Sequence, residues 1–379
     1  MNFAAPVPLA LYLHIPWCVK KCPYCDFNSH PLKGKAPEGQ YIKALLNDLE
    51  NDLPKVWGRR LVSIFIGGGT PSLFSARALD ELLSGVRARL AFNPGIEITL
   101  EANPGTIERG QFADYKAIGI NRVSLGVQSF NPRHLKLLGR IHQAEEAIRA
   151  TEELHAAGYE TFNLDIMHGL PEQSTAEALA DLQQAISLKP YHISWYQLTL
   201  EPQTLFYAKP PALPPDETLA EIEAQGKRLL TEADFQQYEI SAYGKPGHES
   251  KHNVNYWQFG DYLGIGAGAH GKITDMQHQN VVRSWKEKHP YTYQQGKYLS
   301  GEKIIDDAEM PFEFMLNALR LKAGFTVQLF AERTGLPISA IATPLQQAYQ
   351  KGLLERVGDT IRATQQGYLF LNDTINLFL

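Results

Sequence analysis

All three cysteines of the chain lie in one short stretch, LYLHIPWCVKKCPYCDFNS, with the spacing Cys18-x-x-x-Cys22-x-x-Cys25. An odd number of cysteines does not suit a disulfide framework, and a structural zinc site needs a fourth ligand. Three thiolates in one loop suit a cubane [4Fe–4S] cluster, in which the protein binds three irons and leaves the fourth open to a small ligand. The loop therefore predicts a metal cofactor and indicates redox chemistry.

Other polar groups follow the predicted strands and should lie beside this loop. Such groups occur in Gly67–Pro71, Glu101–Pro104, Gln128–Phe130 and Asp165–Pro171. Because ligands collect at the carboxyl ends of parallel strands, these residues are expected to share one rim with the cysteines. Alone, the glycines are as consistent with a tight turn as with a ligand cradle, and Glu101 and Asp165 with solvated loop caps. The shared rim favours a binding site.

The elements that would position these residues alternate between strands and helices. Strands are predicted over Leu11–Ile15, Val62–Ile66, Glu97–Glu101, Arg122–Gln128, Phe162–Met167 and His192–Thr199, and helices over Gln40–Leu53, Ala76–Leu90, Ala144–Ala157 and Thr175–Leu188. Six strand–helix repeats predict a parallel α/β sheet with right-handed crossovers. Six units fall short of the eight that close a full barrel, which favours a partial (β/α)6 barrel, with a doubly wound sheet as the alternative.

The second part of the chain is organised differently. A helix over Leu219–Ala233 and a strand over Gln237–Ala242 are predicted to complete a first domain of residues 1–245, and residues 246–300 form a connecting segment. The sequence pattern of residues 301–379 predicts a helical domain. Its helices are expected over Pro311–Leu321, Val327–Arg333 and Ile338–Lys351, followed by a hairpin that turns at Gly358 and Asp359. Three short helices and a hairpin resemble a winged helix.

Composition excludes several classes of protein. The 379 residues favour two domains, and the hydrophobic and charged fractions of 44% and 20% are typical of globular proteins. A net charge of −5 gives no basic field for nucleic acid or acidic membranes. The apolar N-terminus lacks a basic n-region, and no segment approaches the roughly 20 apolar residues that span a bilayer. Together with clustered free thiols, which persist in reducing compartments, these features predict a cytoplasmic protein.

Several motifs resemble those of the radical S-adenosylmethionine (SAM) superfamily. The cysteine spacing, with Tyr24 directly before the third cysteine, is the signature of that superfamily, and GGGTP after the second strand agrees with it. In its members the open iron of the cluster chelates the amino and carboxylate groups of SAM, and the reduced cluster can cleave SAM to a 5′-deoxyadenosyl radical. The resemblance implies that Cys18, Cys22 and Cys25 ligate a [4Fe–4S] cluster.

A closer resemblance runs the whole length of the chain. YLHIPWC, FIGGGTPS, EANP, GVQSF, LGRIH, NLDIMHGLP and YQLTLEP resemble oxygen-independent coproporphyrinogen III oxidase and its relatives, and HNVNYWQFGDYLGIGAGAHG resembles the haem chaperone branch called HemW. The resemblance implies that SAM contacts Tyr12, Gly68, Gly69, Thr70, Glu101, Gln128, Arg140 and Asp165. These roles are chemically reasonable, since carboxylates can accept ribose hydroxyls and Arg140 can hold a carboxylate.

One position separates the oxidase from the HemW branch. The oxidase pattern has a fourth cysteine two residues after the third, where this chain has Phe27. The difference argues against radical decarboxylation of coproporphyrinogen III and leaves open whether the chain is an enzyme. The HemW branch implies a carrier that takes haem as cargo and hands it to haem-accepting proteins, with the respiratory membrane as one location. An active coproporphyrinogen III oxidase is the alternative.

A haem carrier needs an axial iron ligand, usually His, Cys, Met or Tyr. His252 is the first candidate because it lies in the motif H-N-x-x-Y-W of the HemW branch. The neighbouring Tyr256 and Trp257 could stack on a macrocycle, as they could equally fill a core. His168 and His270, each in a glycine-rich context at a strand end, are further candidates.

The winged-helix-like tail raises a lesser alternative, a radical SAM enzyme that modifies a nucleic acid. The predicted helix Ile338–Lys351 carries one basic residue, Lys351, which leaves little charge to bind phosphates. No nucleic-acid partner is therefore expected. The sequence leaves the oligomeric state open, a homodimer included.

Overall fold

The computed structural model describes residues 1–107 and 110–379. Its strands are β1 Leu9–Ile15, β2 Trp17–Cys18, β3 His30–Pro31, β4 Arg60–Gly68, β5 Ala91–Ala102, β6 Arg122–Gln128, β7 Phe162–His168, β8 His192–Gln197, β9 Gln236–Gln237, β10 Ala242–Gly244, β11 Asp261–Ile265, β12 His270–Asp275, β13 Asn280–Lys286, β14 Leu299–Ile305, β15 Phe325–Thr326, β16 Leu354–Val357 and β17 Thr360–Ala363. Its α-helices are α1 Glu38–Asp52, α2 Ala76–Arg89, α3 Gln111–Ala117, α4 Pro132–Leu137, α5 Ala144–Ala156, α6 Thr175–Ser187, α7 Leu205–Ala208, α8 Asp216–Glu232, α9 Lys251–Trp257, α10 Pro290–Gln294, α11 Met310–Ala318, α12 Val327–Thr334, α13 Ala342–Gln350, α14 Gln365–Leu369 and α15 Leu371–Asn376.

Six parallel strands form the partial barrel. The strands β1, β4, β5, β6, β7 and β8 are neighbours in chain order, and each adjacent pair is parallel. A doubly wound sheet would reverse its strand order at a switch point, and this run does not. The barrel stays open because β8 pairs next with β10, and β1 pairs on its other side with β11. The predicted (β/α)6 partial barrel is confirmed.

Alternation along the strands separates the hydrophobic core from the barrel interior. In β1, Leu11 and Leu13 are buried in the core that packs under the helices. Successive side chains of a strand point to opposite faces, so Tyr12 and His14 lie on the inner face. The interior therefore carries the polar residues on which a site depends.

Residues 246–300 add strands to the barrel sheet, which the sequence did not predict. The strand β11 pairs in parallel with β1, and β12, β13 and β14 continue the sheet as antiparallel neighbours. Since β14 extends to Ile305, this extension crosses residue 300. The segment thus forms one wall of the molecule beside β1.

The prediction of a single strand over Gln237–Ala242 is wrong. The chain makes two short antiparallel strands there, β9 and β10, and turns between them. The carboxylate of Glu239 stabilises this turn, because it accepts the N–H of Ser241 at 3.0 Å and binds Arg320 at 3.1 Å. A buried ion pair with a distant helix end is invisible in the local pattern.

The C-terminal residues build a second hydrophobic core. The helices α11, α12 and α13 pack with a three-stranded sheet in the order β15-β17-β16, and the ring of Phe314 meets Phe325 and Phe330 edge to face. The hairpin turns at Gly358, whose φ of 62° suits glycine. This arrangement confirms the winged-helix-like domain. None of the helices in the described ranges is long and apolar enough to cross a membrane.

Candidate functional site

The three cysteines line a cavity of about 420 Å³, which we call the cysteine cavity. Cys18 ends β2, and Cys22 and Cys25 lie in the loop that β2 and β3 close by pairing. The predicted SAM residues that line the same cavity are Gly68, Gly69, Thr70, Glu101, Gln128, Arg140 and Asp165. The structure therefore brings the polar strand ends together with the cysteines, as the parallel topology requires.

Tyr12 is the predicted SAM residue that does not line the cysteine cavity. Its side chain lines a neighbouring cavity, and its hydroxyl donates to Nδ1 of His14 at 3.0 Å. The Tyr12 ring stacks on Phe65 with 6.3 Å between ring centroids. Its assignment to SAM stays a prediction.

The glycine run at the end of β4 holds the cysteine loop in place. Gly69 donates its N–H to the carbonyl of Ile15, and Thr70 donates to Trp17, both at 2.7 Å. A Cβ atom at Gly69 would lie 2.5 Å from the Trp17 carbonyl oxygen, and Gly68 adopts a φ of 115°. A side chain at Gly69 would displace the backbone that precedes Cys18, and one at Gly68 would be strained and would meet the ring of His14.

Two buried acids face the cysteine cavity. Glu101 accepts the N–H of Gly68 at 3.0 Å, while Asp165 accepts from Ser124 at 3.1 Å and from the amide of Asn163 at 2.7 Å. Burial, with a contribution from Asp165, raises the pKa of Glu101 to about 8, and burial also raises the pKa of Asp165. A ligand that carries hydroxyl groups or positive charge would supply a hydrogen bond or a counter-charge to the buried carboxyl groups of Glu101 and Asp165.

Gln128 is aimed into the cavity by an irregular strand. The pairing of β6 with β7 shifts register between Gly126 and Gln128, and Gln128 adopts a φ of 71°. A bulge of this kind re-aims one side chain at a functional site. The Gln128 Oε1 accepts the hydroxyl of Tyr196 at 2.7 Å, which fixes the amide.

Arg140 brings an unpaired donor to the same cavity. Its Nη2 donates to the carbonyl of Gly126 at 2.5 Å, and its Nη1 lies 3.8 Å from Sγ of Cys22. Its Nε is buried and has no hydrogen-bond partner within residues 1–107 and 110–379. A buried guanidinium with a free N–H is suited to a ligand carboxylate.

The donor set fits a cluster better than a single metal ion. No group of three His, Cys, Asp or Glu residues in the described part of the chain is arranged to hold one ion. In a cubane each thiolate binds a different iron, so three sulfurs need not converge on one point. Burial raises the pKa of Cys18 and Cys25, so binding iron displaces their protons.

His252 lies apart from the cysteine cavity. Its ring is 1% exposed and stacks on Phe65, with Nδ1 2.9 Å from the hydroxyl of Ser63 and Nε2 3.0 Å from that of Tyr256. Burial lowers the pKa of His252 to about 3. Ser63 precedes Gly68 by five residues, roughly 16 Å along a strand. Both ring nitrogens are occupied, so this conformation does not present His252 to iron.

The two other histidine candidates differ from each other in exposure. His168 is 5% exposed and packs against Trp195 with 4.3 Å between ring centroids. His270, at the start of β12, is exposed and lines the neighbouring cavity. Of the three candidates, His270 is the one that the structure leaves accessible.

The neighbouring cavity was missed by sequence reasoning. It measures about 680 Å³, and we call it the aromatic cavity after Tyr12, Phe27, Tyr256, Trp257 and Tyr262, which line it together with His270. Asp26 and Phe27 line both cavities. The H-N-x-x-Y-W motif did signal part of it, through Tyr256 and Trp257.

Ser124 and Tyr196, which line the cysteine cavity, were also missed. Neither residue is among the candidate site residues predicted from the sequence. Ser124 with Gly126, and Ser194 with Tyr196, interrupt the aliphatic residues at positions two apart, and this spacing was the available signal. Alternation inside an otherwise apolar strand marks the inner face of a barrel.

Comparison with known proteins decides the family. The model of the radical SAM superfamily matches residues 12–184, and that of the HemN C-terminal domain matches residues 305–370. The chain is 53% identical over 372 residues to the heme chaperone HemW of Escherichia coli K12, with 98% of each chain covered. It is 33% identical over 379 residues to that of Bacillus subtilis 168, covering 97% of this chain and 98% of the relative. The chain belongs to the HemW family.

The HemW family fold resembles a solved enzyme structure. The coproporphyrinogen III oxidase (HemN) from Escherichia coli, described as a radical SAM enzyme, superposes with a TM-score of 0.83 over 98% of this chain and 90% of that one. At 24% sequence identity this likeness shows a common fold. The HemW family resemblance predicted from the sequence motifs is confirmed.

Proposed function

We propose that this chain is a haem chaperone that binds haem and hands it to haem-accepting proteins, while a [4Fe–4S] cluster and SAM occupy the cysteine cavity. The observation that carries the proposal is the 53% identity, over 98% of the chain, to a relative named heme chaperone HemW. A relative from Haemophilus influenzae Rd with the same name is 52% identical over the same share of the chain. Coverage of this extent includes both cavities.

The cysteine cavity supplies the residues for both cofactors. Cys18, Cys22 and Cys25 would hold the cluster, which would offer an open iron to chelate SAM and, once reduced by an external donor, an electron for the cleavage of SAM. The free Nε of Arg140 suits the carboxylate of SAM, and the buried Glu101 and Asp165 suit its hydroxyls and its positive charge. Gln128, fixed by Tyr196, offers an amide to the adenine.

An active coproporphyrinogen III oxidase is the second candidate, because the same cavity would serve radical decarboxylation. The position after the cluster motif argues against it. Phe27 replaces the fourth cysteine of the oxidase pattern, and its side chain is 57% exposed between the two cavities. An apolar ring there changes what a substrate would meet beside the cluster.

The proposed partners are haem and haem-accepting proteins, including those of the respiratory membrane, and the proposed location is the cytoplasm. A nucleic-acid substrate has little support from the C-terminal domain. The helix α13, which would be the recognition helix of a winged helix, carries no basic residue among its nine. Without basic residues on this helix, the domain is better suited to contact protein.

The proposal is tested on the full chain after anaerobic reconstitution of the cluster. Ferric haem is titrated into the protein, and an apo-haemoprotein is then added to the haem-loaded chain. We expect a shifted haem spectrum that saturates, followed by transfer of haem to the acceptor. In a parallel reaction, reductant, SAM and coproporphyrinogen III should yield no protoporphyrinogen.

Iron-free protoporphyrin IX is the control in the same titration, since it can stack on aromatic residues but cannot be ligated. Two results would contradict the proposal. A haem spectrum that remains that of free haem would remove the carrier function. Formation of protoporphyrinogen would replace it with the oxidase.

A further inference from the structure

The aromatic cavity has the size and walls of a site for a flat macrocycle. Its volume of about 680 Å³ lies within the range of small-molecule sites, about 300–1,000 Å³. The rings of Tyr256, Trp257 and Tyr262 offer planar apolar surface. Phe27 and Leu316, which also line it, are 57% and 45% exposed. A bound macrocycle would cover this apolar area.

The tyrosines and the second histidine of the cavity are already engaged. Tyr12 donates to Nδ1 of His14, whose Nε2 donates to the carbonyl of Asn28 at 2.8 Å. The hydroxyl of Tyr256 bonds His252, and that of Tyr262 accepts from Arg283 at 3.3 Å. All three tyrosine hydroxyls therefore already have a hydrogen-bond partner among the described residues.

Among the described side chains of the aromatic cavity that could ligate haem iron, His270 is the one without a hydrogen-bond partner. Among the described residues that line the cavity there is no cysteine or methionine. His270 is exposed, and neither of its ring nitrogens has a hydrogen-bond partner within residues 1–107 and 110–379. An imidazole with both ring nitrogens unengaged can offer one of them to iron.

Two cations line the aromatic cavity together with His270. Lys288 is exposed and forms no ion pair with any described residue. Arg283 binds Glu313 and Tyr262, but its Nε is buried without a partner among the residues described. A macrocycle with carboxylate side chains would find a donor at both positions.

We propose that haem binds in the aromatic cavity with His270 as an axial ligand of its iron and with Lys288 and Arg283 binding its propionates. The inference rests on the proposed haem-carrier function and names the site for that cargo. Binding forms one coordinate bond from an imidazole nitrogen to iron and transfers no electron. His252 then serves as a positioning residue, since it holds the hydroxyl of Tyr256 at the wall of the cavity.

The test uses ferric haem titrated into the full chain and into His270→Ala. Wild type should show the absorption of histidine-ligated haem, and His270→Ala should lose this spectrum and bind haem at least about tenfold more weakly. Added imidazole should restore the ligated spectrum in His270→Ala, which a structural role of the side chain would not produce. The matched control is His278→Ala, an exposed histidine on the turn between β12 and β13, and it should behave as wild type.

A second variant separates ligation from affinity. Lys288→Glu should weaken haem binding several-fold without changing the absorption of bound haem, since its charge meets the propionates and not the iron. Retention of affinity in Lys288→Glu would contradict the assignment of the propionates. His252→Ala, if its circular dichroism is that of wild type, should keep the ligated spectrum.

The outcomes distinguish this inference from the function on which it rests. If wild type shows only free haem, the carrier function and the site both fail. If wild type binds haem and His270→Ala keeps the same spectrum and affinity, the carrier function stands and the site is wrong. Loss of the ligated spectrum in folded His252→Ala, with His270→Ala unchanged, would return the assignment to His252.

Discussion

The cysteine cavity and the aromatic cavity share Asp26 and Phe27, yet they are built in opposite ways. The cysteine cavity takes most of its polar side chains from consecutive parallel strands and the cysteine loop, with Arg140 added from the segment between α4 and α5. The aromatic cavity combines residues as distant in the chain as Tyr12 and Leu316. In the assignments proposed above, three thiolates would retain the cluster, whereas a single imidazole would allow haem to leave. Retention and release would then follow from the number of ligands.

The charges of the two cavities differ as well. Glu101 and Asp165 are buried in the cysteine cavity without an ion pair among the described residues, and Arg140 keeps a free N–H. In the aromatic cavity the buried Lys272 is paired with Asp261 at 2.9 Å, and Arg283 is paired with Glu313. The buried acids of the first cavity therefore have no counter-charge until a ligand binds, while Lys272 and Arg283 of the second are paired within the protein.

The largest effect should come from Cys22→Ser. Because each thiolate binds its own iron, the reconstituted variant should fall from about four irons per chain to nearly none. Haem affinity should change less than about twofold, since the two sites share no ligand. Iron analysis and haem titration measure the two outcomes. The exposed Val19→Ala in the same loop should keep the cluster. Loss of haem binding together with the cluster would show that the two cavities are one site.

Glu101→Gln should change how stability depends on pH. The native state keeps the Glu101 proton up to a pKa of about 8, while the unfolded chain releases it near 4.5. The free energy of unfolding should therefore fall as pH rises through this window, by an amount on the order of a few kcal/mol. Glu101→Gln removes this loss, although the raised pKa of Asp165 leaves a smaller slope of the same sign.

Urea unfolding of the cofactor-free chain at pH 5, 7 and 9 measures the effect. The variant should gain stability relative to wild type between pH 5 and pH 9. Glu152→Gln, an exposed glutamate on α5, is the matched control and should follow wild type. A wild-type chain whose stability does not fall over this range would show that Glu101 is ionised in the folded state. The difference in charge that we describe between the two cavities would then be wrong.

The cysteine cavity could be predicted because its signals are local. Cys18, Cys22 and Cys25 lie within eight residues, while Glu101 lies at the end of the apolar strand β5 and Asp165 lies within the apolar strand β7. Parallel topology then places strand ends on one rim without any knowledge of side-chain contacts. The barrel itself followed from six repeats of strand and helix. Periodicity and the topological rule were sufficient for this half of the molecule.

The aromatic cavity could not be predicted because it depends on pairing between distant segments. Because of its glycines, the sequence pattern of GIGAGAHG does not show the strands β11 and β12. The fold needs a glycine there, since a Cβ atom at Gly264 would lie 1.8 Å from the carbonyl oxygen of His270. Burial of His252 likewise depends on Ser63 and Glu97, more than 150 residues earlier in the chain. A motif indicates that residues act together, but tertiary contacts decide which of them faces a ligand.

Arg140→Lys should weaken SAM binding without affecting haem. A lysine keeps the charge but loses the planar fork and the free Nε–H, so the affinity for SAM should fall about 10- to 100-fold. Equilibrium dialysis of SAM with the reconstituted chain measures this, and haem titration should match wild type. Arg133→Lys, an exposed residue on α4, is the control. Unchanged SAM affinity would contradict the prediction that the unpaired Nε–H of Arg140 binds SAM.

The smallest effect should come from Phe27→Ala, which tests the wall between the cavities. Its ring is 57% exposed, so removing it costs less than a fully buried phenylalanine, and haem and SAM affinity should each fall about threefold. Phe370→Ala, with a similarly exposed ring of 54% in the C-terminal domain, should change neither affinity. A fall in haem affinity alone would assign the ring to the aromatic cavity. Loss of the cluster would assign it to the cysteine cavity, where it would shield the irons from solvent.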